Sequence, residues 1–294
     1  MIKNITEKLY SDTPTETIYH YTNFPGLLGI VEKRVLWASN ILYMNDSAEM
    51  NHTVELIKAE VAARIDDNKT NQKLLAQFLD WVSNRISSGH MLFASSFRAN
   101  GNLLSQWRGY SALGKGVSIG FDPDYLMACA KSQSFQLGQC VYDPDIQQAL
   151  ITKMIESVEC LAEEYGENLD ETQRPAANSY FDIFERVESD LLRIAALLKH
   201  PSFREEEEWR IVSPVLSDYV STPVKFREGT SMLVPYVEFK LGLGNDEPIK
   251  LEHVVLGPTP NSNLSMNSLT MFLAKMRVKV NAGISYCQIP YRQR

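Results

Sequence analysis

Hydrophobic positions along this chain recur in two rhythms. Over residues 17 to 39 the order reads strand, helix, strand. Thr17-Ile18-Tyr19-His20-Tyr21 is extended in type. Pro25, following Asn23 and Phe24, opens a helix whose apolar face is Leu27, Leu28, Ile30 and Val31, and Val35-Leu36-Trp37-Ala38-Ser39 returns as a strand. Met50, Val54, Ile57, Val61 and Ile65 then repeat every three to four residues, and Leu74, Leu75, Phe78, Leu79, Val82 and Ile86 do the same after a polar turn at 66–71. Both stretches predict amphipathic helices. Asp46 or Ser47 is placed to cap the first of them, with Glu49 completing the cap.

Met91 to Phe97 and Gly116 to Phe121 are the next strand candidates, separated by a loop carrying Gly101. Ile146, Leu150, Met154, Val158 and Leu161 mark one further helical stripe, and Phe181, Phe184, Leu191, Ile194 and Leu198 another, with a polar loop around Gly166 to Arg174 between them. Beyond Pro201 the chain is strand-like at Glu208 to Val212, Leu233 to Phe239, His253 to Leu256 and Ile284 to Ile289, with one helix near 264–276. Strands at both ends with helical blocks between them predict an α+β domain spanning residues 1–294. Its sheet is mostly antiparallel or split, and helical insertions fall near 46–90 and 145–199.

Composition narrows the functional classes. With 294 residues, 44% of them hydrophobic, the chain can build a substantial core, which excludes global disorder. A formal charge of −7 argues against a general nucleic-acid or membrane-surface binder. The start of the chain has no apolar signal-peptide core and no stretch reaches the length of a membrane span, so a cytoplasmic protein is expected. The four cysteines form no C-x-x-C pair and the five histidines no H-E-x-x-H, which predicts neither a metal site nor a disulfide framework. Dinucleotide-fingerprint, Walker and nucleophile-elbow motifs are absent.

Three polar clusters remain as candidate chemistry. In Phe203-Arg204-Glu205-Glu206-Glu207-Glu208-Trp209-Arg210, strand alternation would put Glu206, Glu208 and Arg210 on one face and bury Trp209 on the other. A carboxylate pair beside a guanidinium can hold one ionised acid next to a partly protonated one, although a solvated acidic run would look the same. His20, Tyr21 and Thr22 end a strand backed by a helix, an arrangement that opens toward a cleft. Ser95 and Ser96 lie in a middle strand. Trp107 and Tyr110, three residues apart on a helix, could clamp an aromatic ring, with Arg108 meeting a phosphate, although a core Trp107 and a surface Arg108 fit equally.

Taken in order, Ile18-Tyr19-His20-Tyr21-Thr22, Leu36-Trp37-Ala38-Ser39, Asn45-Asp46-x-x-Glu49, Ser96-Phe97, Trp107-x-x-Tyr110, Gly116-Val117-x-Ile119-Gly120-Phe121-Asp122 and Glu206-x-Glu208-Trp209-Arg210 resemble the bacterial DUF2971 family over residues 17 to 260. His20, Ser95 or Ser96, and Glu208 also resemble the three-part pattern of ADP-ribosyltransferases of the DarT and RNA 2'-phosphotransferase kind. That resemblance implies an ADP-ribosyltransferase-like split β-sheet that binds NAD as substrate. The chain would then modify a macromolecular acceptor, protein or nucleic acid, or hydrolyse NAD, as a toxin or anti-phage effector does, with a regulatory protein partner as a further implication. Glu208 would stabilise the oxocarbenium-like state and Glu206 orient the acceptor. His20 would hold a ribose, and Trp107 or Tyr110 would stack on nicotinamide. A nucleotide-sensing module without catalysis and a carboxylate-dependent nuclease or hydrolase are the alternatives. The transferase reading requires His20, Ser95 or Ser96, and Glu208 to meet in one pocket.

Overall fold

A computed structural model describes residues 2–44, 48–66, 71–87, 92–110, 116–167, 180–216, 218, 220–244 and 247–288. Asn45, Asp46 and Ser47, which carry the expected helix cap, lie outside them.

The opening strand, helix, strand is present as β1 (Ile18–Asn23), α2 (Phe24–Lys33) and β2 (Val35–Asn40), after a short α1 (Ile2–Leu9). Its boundaries follow from local chemistry. The Asn23 side chain accepts from the Gly26 amide at 2.8 Å, Pro25 occupies the first turn, and Arg34 leaves the helix in the left-handed region at φ 57°. The helical insertions appear as α3 (Ala48–Asp66) and α4 (Gln72–Ser87), then, after β3 (Phe93–Arg98), α5 (Leu104–Tyr110), β4 (Gly116–Phe121), α6 (Pro123–Ser132) and β5 (Gln136–Gln139), as α7 (Pro144–Glu167) and α8 (Phe181–Ala195). The remainder is β6 (Glu208–Val212), β7 (Lys225–Glu228), β8 (Leu233–Lys240), β9 (Lys250–Leu251), β10 (His253–Leu256), α9 (Ser262–Lys275), β11 (Lys279–Val280) and β12 (Ile284–Tyr286).

Among the described residues ten strands join in one mixed sheet, which makes the fold α+β. Its organising feature is β3. One edge of β3 pairs along its length with β6, from Ala94↔Val212 to Arg98↔Glu208. The other edge is shared. Tyr19 of β1 pairs with Arg98 at one end, whereas Ser39 and Asn40 of β2 pair with Ala94 and Phe93 at the other. Both β1 and β2 run antiparallel to β3, so they are parallel to each other, joined by α2, and they fork over the Ser95–Phe97 stretch. One arm of the fork continues through β4, β10 and β12, the other through β8 and β7.

Two cores cover the two faces. Leu27, Ile30 and Val31 of α2, Leu126 and Cys129 of α6, and Leu269 and Leu273 of α9 pack with Phe97, Ile119, Trp209 and Ile211. On the opposite face Ala94 and Val212 meet the helical insertions, through Ile57, Phe78, Ile155 and Phe184 among others. The alternation of β6 therefore agrees with the expected burial of Trp209, which is 6% exposed. Among the described residues no helix is long and apolar enough to cross a membrane.

Candidate functional site

The fork leaves a cleft of about 560 Å³ where β1 and β2 part. Its walls are the end of β1 with the first turns of α2 on one side, and Trp37 and Ser39 of β2 with Arg227 of β7 on the other; Ser95 and Ser96 of β3 form its floor. Among the described residues no strand pairs with this edge of β3 between the fork's two arms, so side chains there are not obliged to fill a continuous sheet.

The floor has an unusual polar balance. The Oγ atoms of both Ser95 and Ser96 are buried and have no hydrogen-bond partner among the described residues, and Ser95 as a residue is 3% exposed. A buried hydroxyl without a partner costs about 1–3 kcal/mol, so two adjacent ones need an explanation. His20 stands beside them, its Nδ1 3.0 Å from the Ser96 carbonyl oxygen. A carbonyl can only accept, which assigns the proton of the neutral ring to Nδ1 and leaves Nε2 as an acceptor. Burial pushes the His20 pKa below its ordinary value, the Ser96 hydrogen bond opposes this, and the Arg98 charge adds to it, so the neutral form is favoured.

Two aromatic rings also border the cleft. Trp37 is 41% exposed and lies 4.6 Å, centroid to centroid, from Tyr236, and Tyr43 is similarly open. Gly29 of α2 lines the same wall, and a Cβ built there meets nothing within 4 Å. Thr22 lines the cleft too. Tyr21 borders it, but its hydroxyl is occupied, donating to the Asn100 carbonyl and accepting from the Leu103 amide, each at 2.8 Å.

The glutamates lie elsewhere. The chain before β6 is not a strand: Pro201–Glu206 forms a 3₁₀ segment and Glu207 sits at φ 39°, which breaks the alternation that was to align Glu206 with Glu208. Neither residue lines the cleft. Glu208 is 1% exposed, and both of its oxygens are held by cations, Oε1 by Arg210 Nε at 2.9 Å and Arg98 Nη1 at 3.2 Å, Oε2 by Lys199 Nζ at 2.6 Å. Glu206 Oε2 joins the same cluster through Lys199 at 2.6 Å and Arg98 at 2.8 Å. Burial alone would raise the Glu208 carboxyl, but Arg210, Arg98 and Lys199 together hold it well below the usual carboxylate range. Arg210 does pair with a carboxylate, inside this buried cluster and not on the cleft.

The aromatic clamp expected on α5 is also corrected. Trp107 is 1% exposed, donates through Nε1 to Asn102 Oδ1 at 2.8 Å, and packs on Tyr21 at 4.8 Å, which makes it a core residue. Arg108 is exposed and does not line the cleft. The Tyr110 side chain lies outside the described residues. Of the residues selected from sequence, His20, Tyr21, Thr22, Ser95 and Ser96 come together; Glu206, Glu208, Trp107 and Arg108 do not join them. Trp37, Ser39, Tyr43, Gly29 and Arg227 were missed. Only Trp37 and Ser39 carried a signal, being out of phase with the apolar Leu36 and Ala38 of their strand.

Among the described residues no group of three or more His, Cys, Asp and Glu side chains is arranged to hold a metal ion. No curated protein and no solved structure matches the chain. The family resemblance read from the motifs is borne out from α5 to β6, a span that includes Lys199, Glu206, Glu208 and Arg210: residues 106–211 match the family model described as "Protein of unknown function (DUF2971)".

Proposed function

We propose that the chain is a nucleotide-binding protein whose forked-sheet cleft takes a ligand of the NAD class. The observation that carries this reading is the meeting at one cleft of His20 with Ser95 and Ser96, whose buried hydroxyls have no hydrogen-bond partner among the described residues. Ser95 and Ser96, consecutive on β3, send their hydroxyls to opposite faces of the sheet, so each side of the cleft has a hydroxyl able to donate, and His20, on the Ser95 side, adds an imidazole Nε2 able to accept, a pairing that suits a sugar hydroxyl. Trp37 and Tyr43 add aromatic surface for a base, and the volume lies within the range of about 300–1,000 Å³ usual for small-ligand pockets. The fork itself, with a His on its first strand and Ser on its middle strand, is the part of the ADP-ribosyltransferase-like pattern that supports NAD as the first ligand to test.

Binding is the better supported half of that pattern. Glycosidic cleavage needs a carboxylate beside the developing positive charge, and the Glu208 carboxylate is surrounded by three cations of its own. A transferase or NAD glycohydrolase with a macromolecular acceptor is the second reading. It is favoured by one observation: Glu206 stays partly exposed and accepts from Gln106 Nε2 at 3.3 Å, on the helix whose Gly109 lines the cleft.

Titration calorimetry with NAD and ADP-ribose on the wild type, Ser95→Ala and Ser96→Ala tests the proposal. Each alanine should weaken binding about 2- to 10-fold while leaving the unliganded protein as stable as before or slightly more so, since it removes an unsatisfied group. Wild type that binds neither compound at millimolar concentration would refute the reading. Release of nicotinamide on incubation with NAD would promote the transferase reading over simple binding.

A further inference from the structure

The cleft occurs in a chain of net charge −7, yet no Asp or Glu is found among the described residues lining it. It does contain an arginine. Arg227 lies on β7, the strand at the end of one arm of the sheet, paired across from Val234, two residues along from Lys225, which pairs across from Tyr236. Residues two apart on a strand share a face, so Lys225 and Arg227 project on the same side. Their charges meet different fates. Lys225 is neutralised by Glu238 at 2.8 Å. Arg227 has no carboxylate partner among the described residues; its guanidinium reaches across β8 to the Ser39 hydroxyl, with Nη2 3.3 Å from Oγ, at the cleft wall.

Such a guanidinium is half-buried, held by one long neutral contact, and directed at a cavity without a counter-charge. Guanidinium groups in that position satisfy their fork of donors on carboxylate or phosphate oxygens. The second arm of the fork thus presents a cation next to the aromatic surface of Trp37, while the floor presents uncharged hydroxyls and a neutral imidazole. We infer that Arg227 is the anion anchor of the cleft: the ligand is an anion that lays its phosphate on Arg227 and Ser39 and its hydroxyl-bearing part on Ser95, Ser96 and His20. Arg227 is therefore the residue that makes the site prefer a phosphorylated nucleotide over the corresponding nucleoside. This rests on the nucleotide reading of the cleft.

The test compares adenosine, AMP and NAD as probes on the intact wild type, Arg227→Gln, Arg227→Lys and, as a control on the same face, Lys225→Gln. Wild type should bind AMP more tightly than adenosine, with an advantage that shrinks as salt is raised. Arg227→Gln should lose at least about tenfold in affinity for AMP and NAD, with adenosine affinity unchanged and the salt dependence flattened. Arg227→Lys should recover part of the loss, and Lys225→Gln should match wild type. If wild type binds AMP and NAD and Arg227→Gln binds them equally well, the anchor assignment is overturned while the nucleotide reading stands. If wild type binds none of the three probes, the nucleotide reading falls and the anchor falls with it.

Discussion

Glu208→Gln separates a structural role for this carboxylate from a chemical one. The side chain keeps its size, but a negative charge disappears from a buried cluster in which Arg98, Lys199 and Arg210 face Glu206 and Glu208. Three cations against two carboxylates become three against one. Breaking a buried ion pair by neutralising one partner costs about 3–5 kcal/mol, because the remaining charges stay desolvated without compensation. With an unfolding entropy of about 2 cal/mol/K per residue, a chain of this length should melt about 5–8 °C lower. Urea unfolding followed by circular dichroism, alongside a thermal scan, measures both quantities. The pH dependence supplies a second reading. The folded carboxyl titrates well below its ordinary value, so its stabilisation is complete above the unfolded value near 4.5 and is lost as pH falls below it. Wild type should lose stability from about pH 5 downward more steeply than Glu208→Gln does. A variant that melts like wild type at pH 7 and shows the same acid slope would refute the cluster's structural role and return Glu208 to the list of chemical candidates.

Other perturbations address the cleft and its walls. Gly29→Ala should raise stability by about 0.5–1 kcal/mol, since the helix gains a better former and the new Cβ meets nothing within 4 Å, whereas Gly29→Leu should fold equally well and block ligand; calorimetric melting and ligand titration check the two outcomes. Trp107→Ala should cost about 3–5 kcal/mol in urea unfolding through the cavity left against Tyr21, and a loss below about 1 kcal/mol would contradict its assignment to the core. The His20 imidazole titrates below its usual value when folded, so the unfolded chain binds the extra proton first and stability must fall as pH drops from about 7 through the unfolded value near 6.5. His20→Gln should remove that component, and identical stability profiles for the two proteins between pH 5 and 7 would show that His20 is not held neutral.

The parts of this fold that could be read from sequence are those whose signal is local and long. The four helices of the insertions repeat their apolar stripe over several turns, and β1, α2 and β2 are punctuated by Asn23 and Pro25. β5 and β7 could not be read in the same way. Gln136-Leu137-Gly138-Gln139 and Lys225-Phe226-Arg227-Glu228 lack a run of β-branched residues, and they are strands because β6 and β8 offer them an edge. Site legibility divided along similar lines. His20 and the two serines were visible as polar residues on apolar strands, whereas Arg227 had nothing to distinguish it in a polar segment. The glutamate run misled for a definite reason: alternation was extended into residues that a 3₁₀ segment and a left-handed Glu207 had already turned off the strand axis. Its true partners, Lys199 and Arg98, come from the connection after α8 and from a distant strand, which no local pattern reveals.

The two edges of β3 explain why the cleft and the ionic cluster sit together. Ser96 is in register with Arg210 and Arg98 with Glu208, so the cluster lies on the same face of the sheet as Ser96 and starts directly across from it on β6. Polar groups are tolerated on the fork edge because the opposite edge is locked to β6 by backbone pairing and by charges that neither strand can release without loss. Among the described residues the cluster sets three cations against two carboxylates on the Ser96 face of the sheet, and Arg227 adds a further cation at the cleft wall. Backbone pairing with β6 thus fixes one edge of β3, while its other edge, between the arms of the fork, borders the cleft that holds Ser95 and Ser96.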